Sequence, residues 1–147
     1  MTVSRLTPAL HAETAAAAAA ALRERGLRVS TARRELLEAL FAAGQPMRAE
    51  ELAGDGDVAS AYRNLEVLEE VGLVRHVHLG HGPGRYHPAG LDREFVVCER
   101  CGAVRAVAPA ELDDVRTAVL AAVGYRARFT HFPLVGLCPA CAPKGHA

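Results

Sequence analysis

Apolar residues recur at three- and four-residue intervals through much of the first half of the chain, a spacing that predicts a run of short amphipathic helices. The first helix follows an alanine-rich stretch to about Arg25, and Gly26 is placed to end it. Ser30 or Thr31 is placed to cap a second helix. The buried stripe of this second helix consists of Leu36, Leu37, Leu40 and Phe41.

Two more helices are predicted before the pattern changes. A short helix over 48–53 ends at a Gly-Asp-Gly turn, and Asp57 is placed to cap the next one. In that fourth helix Ala61, Leu65 and Leu68 share an apolar face. The polar residues on or near its other face are Ser60, Arg63, Asn64 and Glu66. This polar face is available to meet a partner.

From Leu73 to Leu79 the chain alternates between apolar and polar residues, and a second short run over 85–87 follows a glycine-rich stretch. Two such runs joined by a glycine-rich turn predict a β-hairpin. Short helices with a polar last helix, followed by a hairpin, are typical of a winged helix-turn-helix, whose last helix enters the DNA major groove. Helix bundles that do not bind DNA share part of this pattern, so both interpretations stay open at this point.

The second half completes an α+β fold. Residues 95–107 indicate strands, Pro109 and Ala110 begin a helix, and 125–135 indicate a further strand. The apolar stripe of that helix consists of Leu112, Val115, Val119 and Val123. One helix stripe and a small sheet bury themselves poorly in about 55 residues, so we expect a bound metal ion and a second subunit to support this part.

All four cysteines lie in two C-x-x-C pairs, Cys98 with Cys101 and Cys138 with Cys141. Together the pairs supply the complete tetrahedral thiolate set of a structural zinc site. A thioredoxin-like redox pair is disfavoured because no long helix begins at Cys101, and two disulfides are disfavoured because nothing upstream suggests export. A zinc ion held by four thiolates has no open position, so we expect it to build the fold and not to perform chemistry.

The charge of the chain points to a local surface and not to general nucleic-acid binding. The 147 residues carry a formal net charge of zero, yet 22–34 contains five arginines and a single glutamate. An ordinary solvated helix face explains any one of these arginines equally well. The alanine run 15–21 is flanked by charged residues and predicts a helix rather than a signal peptide, so we expect a cytoplasmic protein with no membrane segment.

Five motifs, in order and with compatible spacing, resemble the ferric uptake regulator (Fur) family of metal-responsive repressors. They are 26–33 (GLRVSTAR), 59–66 (ASAYRNLE), 70–74 (EVGLV), 98–102 (CERCG) and 136–141 (GLCPAC). The resemblance implies a homodimer that binds a palindromic operator in double-stranded DNA, with regulatory metal bound at a hinge. It also implies a winged helix-turn-helix domain, which we place at 1–88, and a small α/β dimerisation and zinc-binding domain, which we place at 89–147.

The resemblance also suggests which residues meet DNA. Tyr62 and Arg63 resemble the family's recognition-helix pair, and Arg33 resembles its helix-two arginine. The predicted DNA-binding residues are Arg28, Arg33, Ser60, Tyr62, Arg63 and Asn64. For the arginines we expect phosphate contact first and base-edge contact second.

The family's usual sensing ligands are mostly replaced in this chain. Relatives place histidines five and three residues before the first cysteine, where this chain has Arg93 and Phe95, and an acidic ligand five residues after the second cysteine, where it has Ala106. His131 resembles a late family histidine but lies one residue closer to the last cysteine pair. In a regular strand that shift would turn its side chain to the other face.

Two explanations compete for this departure. In the first, sensing has moved to the wing and hinge, where imidazoles suit a second, regulatory transition metal such as zinc, nickel, copper or iron. The candidate ligands are His76, His78, His87 and His131, with His81 in the intervening turn. In the second, these histidines are solvated and the protein is a Fur-like regulator that metal does not control, with pH or redox input as a further trigger.

We therefore predict a sequence-specific transcriptional repressor without enzymatic activity or a small-molecule substrate. A zinc hydrolase would need three ligands, an open position and a base, and the chain has no H-E-x-x-H or similar spacing. A zinc-ribbon adaptor for protein partners is the alternative. It would keep the cysteines, but it would need neither the arginine patch nor the Tyr62-Arg63 helix.

Overall fold

The structure is a computed structural model, and it describes residues 8–79, 83–90 and 93–143. The chain divides into two compact units. The first comprises the described residues of Met1–His76 and Gly84–Leu91, and the second comprises those of Val77–Pro83 and Asp92–Ala147. None of the helices in these described ranges is long and apolar enough to cross a membrane.

The described residues of the first unit form four helices: α1 (Ala15–Glu24), α2 (Thr31–Ala42), α3 (Ala49–Ala53) and α4 (Val58–Glu70). Each of the three longer helices begins at a side-chain cap, because a side-chain oxygen of Thr14, Ser30 or Asp57 accepts a backbone N–H of the first turn. The predicted end of the first helix is confirmed, since Gly26 follows α1 with a φ of +82°.

The core of the first unit is an aliphatic cluster from the faces that the periodicity predicted. Leu36, Leu37 and Leu40 of α2 are buried together with Leu65 and Leu68 of α4. Leu22 is fully buried on the alanine-rich α1, which packs against α2. The opposite face of α4 stays accessible.

A two-stranded sheet of β1 (Val74–Val77) and β2 (Arg85–Pro88) follows α4. Tyr86 of β2 also exchanges two backbone hydrogen bonds with Met47, at 2.7 and 2.9 Å, which ties the sheet to the segment before α3. β1 ends earlier than the alternation predicted, so His78 follows the strand instead of lying on it. The predicted turn residue His81 lies outside the described residues.

The second unit contains a three-stranded sheet of β3 (Glu94–Cys98), β4 (Val104–Val107) and β5 (Leu134–Gly136), in the order β4-β3-β5. β3 pairs antiparallel with β4 and parallel with β5. A single 3₁₀ turn, Pro109–Leu112, leads into helix α5 (Asp113–Val123), so the regular helix begins later than predicted. No residue of α5 is buried.

The strand predicted over 125–135 is wrong for most of its length, because only Leu134–Gly136 forms a strand. Pro133 immediately before it has no N–H to donate to a sheet. Upstream, isolated bonds such as Phe95 N–H to the Phe129 carbonyl at 3.4 Å replace a regular ladder. The strand-parity argument for His131 therefore does not apply, because His131 lies in a bend.

Candidate metal centre and nucleic-acid interface

The four cysteines are brought together by the pairing of β3 with β5. Cys98 is the last residue of β3, and its register partner on β5 is Gly136, two residues before Cys138. Each pair then turns back on itself: the Gly102 N–H bonds the Cys98 carbonyl at 2.9 Å, and the Cys141 N–H bonds the Cys138 carbonyl at 3.0 Å. The sequence predicted this set, and the structure assembles all four members.

The geometry of the thiols fits zinc. All four sulfur atoms lie within 4.8 Å of one another, and Sγ of Cys101 lies 3.7 Å from Sγ of Cys138. A tetrahedral ion with Zn–S bonds of about 2.3 Å requires sulfurs about 3.8 Å apart. Arg100 links the two turns by donating to the Cys141 carbonyl at 3.2 Å. The four thiols therefore fit a closed structural zinc site in both their number and their spacing.

The backbone prepares the cluster for a cation. The Cys101 backbone N–H points at the Cys98 sulfur and, with the N–H groups of Cys138 and Arg100, lowers the pKa of the Cys98 thiol to about 6. Hydrogen bonding with Cys138, together with burial, raises the pKa of the Cys141 thiol to about 12. The Cys98 thiolate therefore forms readily while the Cys141 thiol resists ionisation, and a metal ion is needed to hold four thiolates together.

The outer face of α4 presents a tyrosine and an arginine to solvent. Tyr62 is 38% exposed, and the Arg63 side chain is 70% exposed. The Tyr62 hydroxyl donates to Glu50 of α3 at 3.2 Å, while Arg63 lies 3.8 Å from the capping carboxylate of Asp57. Desolvation, followed by the charge of Glu50, raises the pKa of Tyr62. The Arg63 side chain lies largely in water and the Tyr62 side chain partly so, and both can therefore reach a partner beyond the contacts within the unit.

The other predicted DNA-binding residues occupy different settings on the same unit. Arg28 is exposed before α2, whereas Arg33 and Asn64 are half-buried and bonded to each other at 3.0 Å. Ser60 is half-buried beside a small cleft of about 140 Å³ between α2, α3 and α4. Sequence patterning found the polar face of α4 but missed the acidic partners Glu50 and Asp57.

The predicted histidine ligands are distributed over both units. In the second unit the rings of His78 and His131 meet edge-on, with centroids 5.0 Å apart and ring nitrogens within 4.8 Å, and Phe132 stacks on His78. In the first unit Nδ1 of His76 bonds the Glu69 carboxylate. His87 is buried there, and its Nδ1–H donates to the Pro88 carbonyl at 3.1 Å. Burial lowers the pKa of His87, so it is held neutral.

Phe95 and Ala106, two of the positions where the resemblance leads us to expect sensing ligands, lie in the sheet of the second unit. Phe95 is 1% exposed in the second unit, and its register partner across the β3–β4 pair is Ala106, so two of the replaced positions lie directly opposite each other. Neither side chain can ligate a metal. The buried Glu94 beside Phe95 bonds the Arg116 guanidinium and accepts the Phe129 N–H at 2.8 Å. Sequence reasoning missed this ion pair, whose only local signal is an acidic residue at the start of an apolar strand.

Comparison with known proteins agrees with this description of a winged-helix unit and a unit that carries four thiols. The sequence model of the ferric uptake regulator family matches residues 24–132. The chain belongs to the ferric uptake regulator family. Members of this family are transcriptional regulators and not enzymes, so this Fur-family chain is a transcriptional regulator.

Individual relatives extend over most of the chain. The peroxide operon regulator of Bacillus subtilis is 28% identical over 130 residues, which cover 84% of this chain and 90% of that protein. The structure of the Pseudomonas aeruginosa ferric uptake regulator with manganese matches with a TM-score of 0.61 at 26% identity, covering 82% of this chain and 96% of the other. The Helicobacter pylori ferric uptake regulator, described as having three functional metal-binding sites, shares the fold with a TM-score of 0.65 at 19% identity, over 86% and 90% of the two chains.

Proposed function

We propose that this Fur-family chain is a cytoplasmic homodimeric repressor that binds a palindromic operator through α4 and is braced by one structural zinc ion. The observation that carries the proposal is the outer face of α4, where Tyr62 and Arg63 project from a helix whose other face is buried in a winged-helix unit. A helix presented in this way fits the DNA major groove. Arg63 and Arg28 are the exposed arginines of the predicted contact set.

A second copy of the chain is the proposed partner of the second unit. Helix α5 buries no residue, and the unit exposes large apolar side chains along α5 and beyond it. They are Val104, Leu120, Val123, Tyr125, Phe132, Val135 and Leu137. Exposed apolar side chains in this number on one small unit support the proposal of an interaction surface there. A two-fold dimer through this surface would present two α4 helices to successive half-sites, which is the symmetry of a palindrome.

The DNA-binding proposal is tested by Arg63→Ala, measured by fluorescence anisotropy on a duplex that the wild-type protein selects from a random library. We expect a loss of operator affinity of about fivefold or more, taking a good arginine contact as worth about 1–3 kcal/mol. Arg105→Ala removes an equally exposed arginine from β4 in the other unit and serves as the matched control. Equal affinities for wild type and Arg63→Ala would contradict the proposed role of α4.

A regulatory metal at the wing and hinge is the second candidate, and His78 and His131 are the ligands that the described contacts support. Their ring nitrogens are already within 4.8 Å of each other. His76, two residues before His78 along the chain, stays a predicted ligand; the burial and Pro88 bond of His87 give it no such support. A regulator that metal does not control is the competing explanation.

These explanations predict different responses to mild chelation. If the histidines bind a regulatory metal, chelation changes operator affinity, re-addition of one transition metal reverses the change, and His131→Ala abolishes the response. His11→Ala, an exposed histidine in the first unit, is the control. One zinc ion per chain should survive throughout. Unchanged affinity after chelation, with the thiol-bound zinc retained, would support metal-independent regulation instead.

A further inference from the structure

The guanidinium of Arg33 joins three segments of the first unit. Its Nε donates to Oδ1 of Asn64 on α4 at 3.0 Å, and its Nη1 donates to the carbonyl of Arg28 at 2.7 Å. The backbone N–H of Arg33 itself is capped by Oγ of Ser30 at 3.2 Å. One residue in the first turn of α2 therefore fixes the preceding segment, α2 and α4 relative to one another.

This contact restrains α4 next to the exposed residues of its outer face. Asn64 directly follows Tyr62 and Arg63, so a bond to Asn64 resists rotation of the helix about its own axis. The arginine fork is planar, and its two bonds cannot be shifted independently. Arg33 and Asn64 are both half-buried, which shields the bond in part from competing water.

We propose that Arg33 and Asn64 form a strut that positions the recognition helix, and that Arg33 acts on DNA through α4 instead of serving as a phosphate ligand. The inference rests on the DNA-binding function proposed above. A small rotation of α4 would move Tyr62 and Arg63 together. Base-edge contacts carry the sequence information, whereas phosphate contacts are independent of sequence, so loss of the strut should lower specificity as well as affinity.

The test measures affinity for the selected operator and for an unrelated duplex over a range of salt concentrations. We expect Asn64→Ala and Arg33→Ala each to weaken operator binding by about tenfold, because each change lets α4 rotate and so misplaces Tyr62 and Arg63. The double variant should be no weaker than either single variant. Arg33→Lys should lose as much as Arg33→Ala, because an ammonium keeps the charge but not the planar fork. The salt slope and the affinity for the unrelated duplex should change little.

Arg34→Ala is the matched control, because it removes the neighbouring charge from α2 without touching α4; its guanidinium faces Glu38 at 3.9 Å. Arg33→Ala must lose more than this variant does. A phosphate ligand would behave differently: its removal lowers the salt slope by about one and weakens both duplexes alike. That result, with Asn64→Ala and Arg33→Lys near wild type, would overturn the strut.

A thermal-melting cycle on the wild-type protein, Arg33→Ala, Asn64→Ala and the double variant tests the bond without DNA. We expect Arg33→Ala and Asn64→Ala to lower the melting temperature by amounts that do not add in the double variant, because they remove one shared interaction. Additive losses would also overturn the strut. Absence of operator preference in the wild-type protein would instead refute the proposed function, and the melting cycle would still decide whether the two residues are coupled.

Discussion

Gly72, just after α4, meets two requirements at a single residue. Its φ is +88°, and a Cβ built there would lie 2.6 Å from the Cβ of Ala9. An adjacent hydrogen bond holds the two segments this close, because the Leu10 N–H donates to the Val71 carbonyl at 2.8 Å. Gly72 therefore both ends the helix and admits the segment before α1.

We expect Gly72→Ala to destabilise the protein more than Gly44→Ala does. Both glycines have positive φ, which costs an alanine about 1–2 kcal/mol, but nothing lies within 4 Å of a Cβ at Gly44. The difference between the two variants isolates the clash with Ala9. Thermal melting followed by circular dichroism measures it, and equal melting temperatures would mean that the segment around Ala9 moves aside freely.

At the scale of elements, the sequence predicted the features that depend on residues close together in the chain. The helices of the first unit could be located because their caps and glycines act within one turn. The extent of β5 could not be located, because a strand needs a partner, and Val96 and Leu134 are far apart in the chain. The same distance hid the bond between Arg33 and Asn64, so a residue that looked like a free DNA-binding arginine is engaged inside the unit.

The candidate sites differ in the same way, because their local features could be predicted and their long-range contacts could not. The thiol set was predictable because C-x-x-C spacing fixes each half locally, and zinc chemistry requires both halves. The histidines were harder to place, since their spacing does not show that the rings of His78 and His131 meet, or that His87 is buried and bonds the Pro88 carbonyl. Spacing alone carries no information about what approaches from elsewhere in the fold.

At the scale of the whole molecule, zinc and the second subunit should depend on each other. The second unit has a small sheet and an uncovered helix, so it lacks a large core of its own within the described residues. The thiols fasten β5 beside β3, and several exposed apolar residues lie on or next to β5. Loss of the metal should therefore disrupt the proposed dimer surface.

We expect Cys98→Ser to lose the bound zinc, to elute as a monomer and to lose operator affinity, while the helices of the first unit persist. Metal analysis, light scattering, anisotropy and circular dichroism measure these four outcomes. Glu99→Gln, at the exposed neighbouring position, is the control and should behave as wild type. A zinc-free variant that stays dimeric with wild-type affinity would contradict the dependence of the dimer on zinc.

The pairing of β3 with β5 also bears on the order in which parts of the chain can fold during synthesis. Cys98 and Cys101 emerge well before Cys138 and Cys141, and the whole first unit has been synthesised by then. Domains generally fold in the order of synthesis, so α1 to α4 can be complete while the first thiol pair still waits for the second. On the proposed function, zinc loading would then be the final step of maturation, and chains made without zinc would have a folded first unit but could not yet form the proposed dimer.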